Sequence, residues 1–116
     1  MAPKALPVEL RFLPAEEGGR RSVANLSDGC YRPLAAAGMH ESVDTTQTLV
    51  DGEPLLFGIA VRAGPSEVRP GDVVRAELVA LVHSAGLEQV ARAGAFTVFE
   101  GHRIVARGRV VSRDAC

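Results

Sequence analysis

Nucleophilic, metal-binding and acid–base chemistry each need particular side chains at particular spacings, and this chain supplies few of them. Cys30, beside Tyr31, carries the atom for thiolate attack but would need an imidazole brought from a distance; packing is a sufficient explanation for a cysteine there. His40, His83 and His102 stand at no zinc-like spacing, and His40-Glu41 with Asp44 is a loose acidic neighbourhood of the kind loops carry. The motifs Ser-x-x-Lys, Gly-x-Ser-x-Gly and His-Glu-x-x-His do not occur. Lys4 is the only lysine, with three residues before it and Pro3 and Ala5 beside it, so it fits neither a phosphate loop nor a guanine-selecting Asn-Lys-x-Asp. Nucleotide hydrolysis is excluded. No catalytic residue, metal or cofactor is assigned, and an enzyme built on Cys30 or His102 stays open only as a third reading.

Charge offers more. Arg103, Arg107, Arg109 and Arg113 cluster near the end of the chain. Strand alternation would set Arg103, Arg107 and Arg109 on one face and Ile104 and Val110 on the other, with Val105 and Val111 interrupting the arginine side. Such a face either meets phosphates or is a solvated exterior. The aromatic interleaving of a single-strand binder is missing, because Phe12, Tyr31, Phe57, Phe96 and Phe99 read mostly as core. Thirteen Lys plus Arg against fourteen Asp plus Glu give a formal charge of −1, so no global field draws in nucleic acid or an anionic membrane. Any RNA binding is expected to be weak and strongly salt-dependent.

The elements that must position these residues follow from punctuation by glycine and proline. Of 116 residues, 47% are hydrophobic, enough for one domain with a real core. The clusters Glu17-Gly18-Gly19-Arg20, Asp51-Gly52-Glu53-Pro54, Ala63-Gly64-Pro65, Arg69-Pro70-Gly71-Asp72 and Glu100-Gly101-His102 recur at strand-length spacing. Between them lie alternating segments, such as Val8/Leu10/Phe12 against Glu9/Arg11. Pro70 pre-sets φ and Gly71 supplies positive φ for a type II turn; Gly18 and Gly19 allow the chain to reverse, with Arg20 reaching back to Glu16 or Glu17. Ala95 to Phe99 and Arg103 to Val111 flank Gly101 as a hairpin. Residues 75–93 fit either an amphipathic helix or a strand followed by a loop. Regularly spaced short strands with glycine and proline turns argue for an all-β barrel or sandwich. No signal-peptide pattern or span of membrane length is present, so a cytoplasmic protein with reduced Cys30 and Cys116 is expected.

Several motifs in order carry a resemblance. Ala15-Glu-Glu-Gly-Gly-Arg20, Tyr31-Arg32-Pro33, Asp44-Thr45-Thr46, Arg69-Pro70-Gly71-Asp72 and the run Phe96, Glu100-Gly101, Arg103-Ile104-Val105, Gly108 resemble the third, carboxy-terminal β-barrel domain of bacterial elongation factor Tu, from about Val8 to Val111. The resemblance implies an all-β fold, a single antiparallel Greek-key barrel of about six strands over 8–112 with an extension at 1–7 and a tail at 113–116, and within it a long strand from Val73 to about Val82 and a connection over Ser84 to Gly94. It also implies two inherited surfaces, one contacting the T-stem of aminoacyl-tRNA and one packing on the nucleotide-binding domain. Arg20, Arg21 and Thr46 keep positions that the resemblance places near tRNA, whereas Leu34 replaces a glutamine, Ala35-Ala36-Ala37 an aromatic run, and Phe99 an arginine.

Two functions follow as expectations. The first is a non-catalytic, stand-alone barrel that holds a protein partner or a second copy of itself through Leu34 to Met39 and Phe99. The second is a translation-associated accessory that binds tRNA or other structured RNA weakly through Arg20, Arg21, Thr46, Arg103, Arg107 and Arg109. Neither involves a nucleotide or a membrane.

Overall fold

The computed structural model describes residues 5–40, 49–50, 53–54, 56–81, 86–101 and 103–111. Strand β1 (Leu6–Phe12) buries Leu6, Val8, Leu10 and Phe12 and turns Glu9 and Arg11 outward, as its alternation dictates. The strand begins two residues before Val8, inside the expected amino-terminal extension. A 3-10 turn at Ala15–Glu17 ends on Gly18 in the left-handed region (φ 92°). Gly19 is required for a different reason: a Cβ there would stand 2.0 Å from the Leu13 carbonyl oxygen.

The chain continues through β2 (Asp28–Tyr31), β3 (Leu34–Ala37), β4 (Leu49–Val50), β5 (Glu53–Pro54), β6 (Leu56–Arg62) and β7 (Val73–Ala80). Helix α1 (Gly86–Ala93) precedes β8 (Ala95–Glu100) and β9 (Arg103–Val110). Six antiparallel strands close on themselves in the order β1, β9, β8, β3, β6, β7 and back to β1, while β2 adds to β6, and β4 and β5 form a separate two-stranded ribbon. β3, β6 and β7 run as successive neighbours, and β1 lies beside the last of them across the closure, which is a Greek-key arrangement. The chain is thus an all-β barrel and a single domain, with a Cα radius of gyration of 13.1 Å.

Turn chemistry sets the register. Asp72 donates its amide to the Arg69 carbonyl (3.0 Å) with Gly71 at φ 93°, the type II turn that Pro70 and Gly71 call for; the Arg69 amide donates back to Asp72 Oδ2 at 2.9 Å. Gly101, at φ 63°, makes the β8–β9 hairpin. Opposite Val98 and Phe99, β9 carries one extra residue: Val98 faces Ala106 while Phe99 faces Ile104. The bulge buries both Val105 and Ala106, and the Val105 carbonyl accepts the Leu13 amide at 2.9 Å.

Residues 75–93 divide between the two expected forms. β7 runs to Ala80, and the connection after it contains helix α1, which packs on β3, β7 and β8 with Leu87 and Val90 buried. Tertiary contact decides the split, because the β7 residues pair on both sides with β1 and β6 whereas the α1 residues, Gly86–Ala93, have no strand partner among the described residues. Among the described residues, no helix is long and apolar enough to cross a membrane.

Candidate partner-binding face

Phe99 does not offer a surface. It is fully buried (0% exposed), pairs with Leu34 across the β3–β8 register, and Leu34 itself is half-buried. Removing an aromatic side chain of this size from water stabilises the fold by about 1.5–3 kcal/mol, so its role is packing. Ala35 and Ala36 are buried too, which leaves Met39, 54% exposed, as the outward-facing member of the expected apolar site.

Met39 follows β3 on a short strap laid across the barrel's outer wall. The Gly38 amide donates to the Ala95 carbonyl (2.8 Å), the buried Thr97 hydroxyl donates to the Gly38 carbonyl (2.9 Å), and the His40 amide donates to Thr97 Oγ1 (3.0 Å). Arg107 Nη1 donates to the His40 carbonyl at 2.9 Å and lies 3.8 Å from Met39 Sδ. Met39, Arg107, Gly108 and Arg109 then share a shallow depression of about 170 Å³ with Glu9 and Arg11. Arg109 Nε donates to Glu9 Oε1 at 3.1 Å. A residue expected to bind protein and two expected to bind RNA therefore meet at one place.

Arg103 is separated from that place. It lines a second open cleft, of about 480 Å³, with Ala15, Gly18, Gly19 and Arg21. The simple alternation expected for Arg103, Arg107 and Arg109 fails because the β9 bulge lies between Arg103 and the other two. Arg21 and Arg103 are both exposed and have no hydrogen bond or ion pair among the described residues.

Arg20 pairs with neither Glu16 nor Glu17. Its guanidinium forms an ion pair with Glu100 Oε2, stands 5.3 Å from the centre of the Tyr31 ring, and donates to Ser22 Oγ at 3.1 Å. The Tyr31 hydroxyl donates to the same Glu100 oxygen at 2.6 Å, and its ring lies 6.1 Å from that of Phe12. Burial, then the hydrogen bond to Glu100 and its charge, push the Tyr31 phenol far above the ordinary tyrosine range; Arg20 pulls it back only in part. Burial lowers the Arg20 pKa, but the hydrogen bond to Glu100 and its charge outweigh it and the net shift is upward. The cluster ties the loop after the 3-10 turn to the end of β8, a structural use of Arg20.

Cys30 is exposed on β2, its amide donating to Asp28 Oδ1 at 3.0 Å, and nothing among the described residues bonds its Sγ. Thr46 and His102, with His83, Asp44, Arg113 and Cys116, lie outside the described residues. Among the described residues, no group of three His, Cys, Asp or Glu side chains could hold a metal ion.

Arg11, Arg75 and Glu100 went unassigned in the sequence. Arg11 had a visible signal, as the polar member of an alternating strand, but its neighbours depend on which strands close the barrel. No family model matches the chain, and no curated protein is similar enough to count as a relative.

Proposed function

We propose that this chain is a non-catalytic binding module, a free-standing barrel that docks a protein partner on the outer face of β9, β1 and β7. The convergence of exposed Met39 with Arg11, Arg107 and Arg109 carries the reading. Methionine and arginine are both enriched where proteins meet, and here Arg107 and Arg109 are each held by a hydrogen bond, which lowers the entropy they lose on docking. The resemblance to the third barrel of elongation factor Tu adds support, since that domain works by packing against other macromolecules. Self-association is the simplest form of the same reading. Its place would be the cytoplasm, a reducing compartment suited to an exposed thiol such as Cys30.

A photo-crosslinking residue at position 39 of the full chain, irradiated in cells, tests it. A covalent adduct with another protein or with a second copy is expected. Adducts to RNA alone, or none above those of a crosslinker at exposed Arg92, would overturn it. A second reading, weak RNA binding in association with translation, draws on Arg21 and Arg103, whose guanidinium groups have no partner among the described residues and line the cleft with Gly18 and Gly19. Charge reversal at both would then lower RNA retention and its salt slope.

A further inference from the structure

The face that carries Met39 has an order in its charges. The cross-strand register places Arg109, Glu9 and Arg75 in one row over β9, β1 and β7; two residues along, Arg107, Arg11 and Val73 form the next. These two rows thus hold four guanidinium groups and one carboxylate on a chain whose formal net charge is −1, and the next carboxylate along this face of β7, Glu77, is paired with Arg62. The Glu9 carboxylate is already engaged, because it accepts from Arg109, and Arg107 is held by the His40 carbonyl. Arg11 and Arg75 are exposed and have no hydrogen bond or ion pair among the described residues. Arg11 also stands directly opposite Arg107, a like-charge pair that destabilises a sheet unless an anion lies between or above it.

Spacing identifies what fits. Arg11 and Arg75 are diagonal neighbours across an antiparallel pair, roughly 7–8 Å apart at Cα. Side chains at alternate positions of an extended segment point the same way and recur at roughly 7 Å. We infer that this face docks an extended acidic segment of a partner protein, with two carboxylates two residues apart seated on Arg11 and Arg75. The inference rests on the reading of the barrel as a protein-binding module and adds the chemistry of the partner. Exposed Val73 (58%) and Met39 bound the arginines on the two sides and give the segment apolar contact beyond its charges. A single-stranded nucleic acid fits less well, because no aromatic ring stands in either row for a base to stack on.

The test uses a fluorescent peptide with glutamate at every second position, its glutamine counterpart, and an RNA duplex of matching charge, each titrated against the full chain by anisotropy and amide NMR. The glutamate peptide is expected to bind, to weaken as salt rises from low to physiological strength, and to shift amides of β1, β7 and β9. Arg11→Glu with Arg75→Glu should weaken it by about tenfold or more, Arg11→Gln with Arg75→Gln by less, and Arg92→Glu on the helix not at all. The glutamine peptide should not bind. The inference is overturned if the glutamate peptide fails to bind, if the Arg11 and Arg75 variants bind it as well as the parent, if the shifts map elsewhere, or if the duplex binds this face more tightly. Should any of these occur while residue 39 still crosslinks to a protein, only the acidic character of the partner is lost. If that crosslink fails as well, the docking reading falls with it.

Discussion

A single phenol reports on the joint between the first loop and the last hairpin. Tyr31 is the only tyrosine and there is no tryptophan, so tyrosinate absorbance follows this one group. Its pKa in the fold is raised above the unfolded value near 10, so its contribution to stability is fully present below about pH 10 and is lost as pH rises beyond it. Tyrosinate absorbance should therefore appear only with unfolding, seen by circular dichroism in the same titration, and Tyr31→Phe should flatten the alkaline loss at about 1 kcal/mol of stability near neutral pH. Glu100→Gln removes the charge shared by Arg20 and Tyr31. It should destabilise by about 1–2 kcal/mol in urea and move the phenol back toward its ordinary range. Arg20 was legible as a residue that seeks a carboxylate, but the choice of Glu100 over Glu16 or Glu17 was not. The chosen partner lies eighty residues away and is brought near only by barrel closure.

Elements defined by local chemistry were the ones the sequence could show. Turns made by Pro70-Gly71 and Gly101, and the alternation of β1, depend on residues within a few positions of one another, and they stand where expected. Helix α1 was less visible, because its Ala, Leu and Glu content ran on from β7 and only the absence of a strand partner separates the two. Packing at glycines gives a direct check on these elements. An alanine Cβ at Gly86 would lie 2.4 Å from the Phe57 ring, and one at Gly108 would lie 2.2 Å from the Phe96 ring. Gly86→Ala should pry α1 from the barrel and Gly108→Ala should push β9 from β8, each at about 1–3 kcal/mol. Gly58→Ala meets only the Leu81 side chain at 3.4 Å and should be neutral or slightly stabilising, all three read from denaturant midpoints.

Whole-molecule order is where sequence reasoning stopped. That the chain is all-β followed from the number and spacing of segments, and closure into a barrel of about six strands was what the resemblance implied, whereas the rows Arg109-Glu9-Arg75 and Arg107-Arg11-Val73 exist only because β1 is flanked by β9 and β7. A one-residue bulge then sufficed to part Arg103 from Arg107. Because these pairings join distant parts of the chain, folding in milliseconds to seconds is expected, a range that stopped-flow fluorescence of Tyr31 resolves. The seam between β1 and β9 has one more result. Val8 sits opposite Val110, and the Val111 amide donates to the Pro7 carbonyl at 3.0 Å, so the first and last strands enter and leave at a common pole. A short peptide tether could bridge them, with new ends cut at exposed Ser66–Glu67, and the permuted polypeptide should melt within a few degrees of the parent. By the same geometry the barrel could be spliced whole into a surface loop of a host, entering and leaving like a bead on a thread.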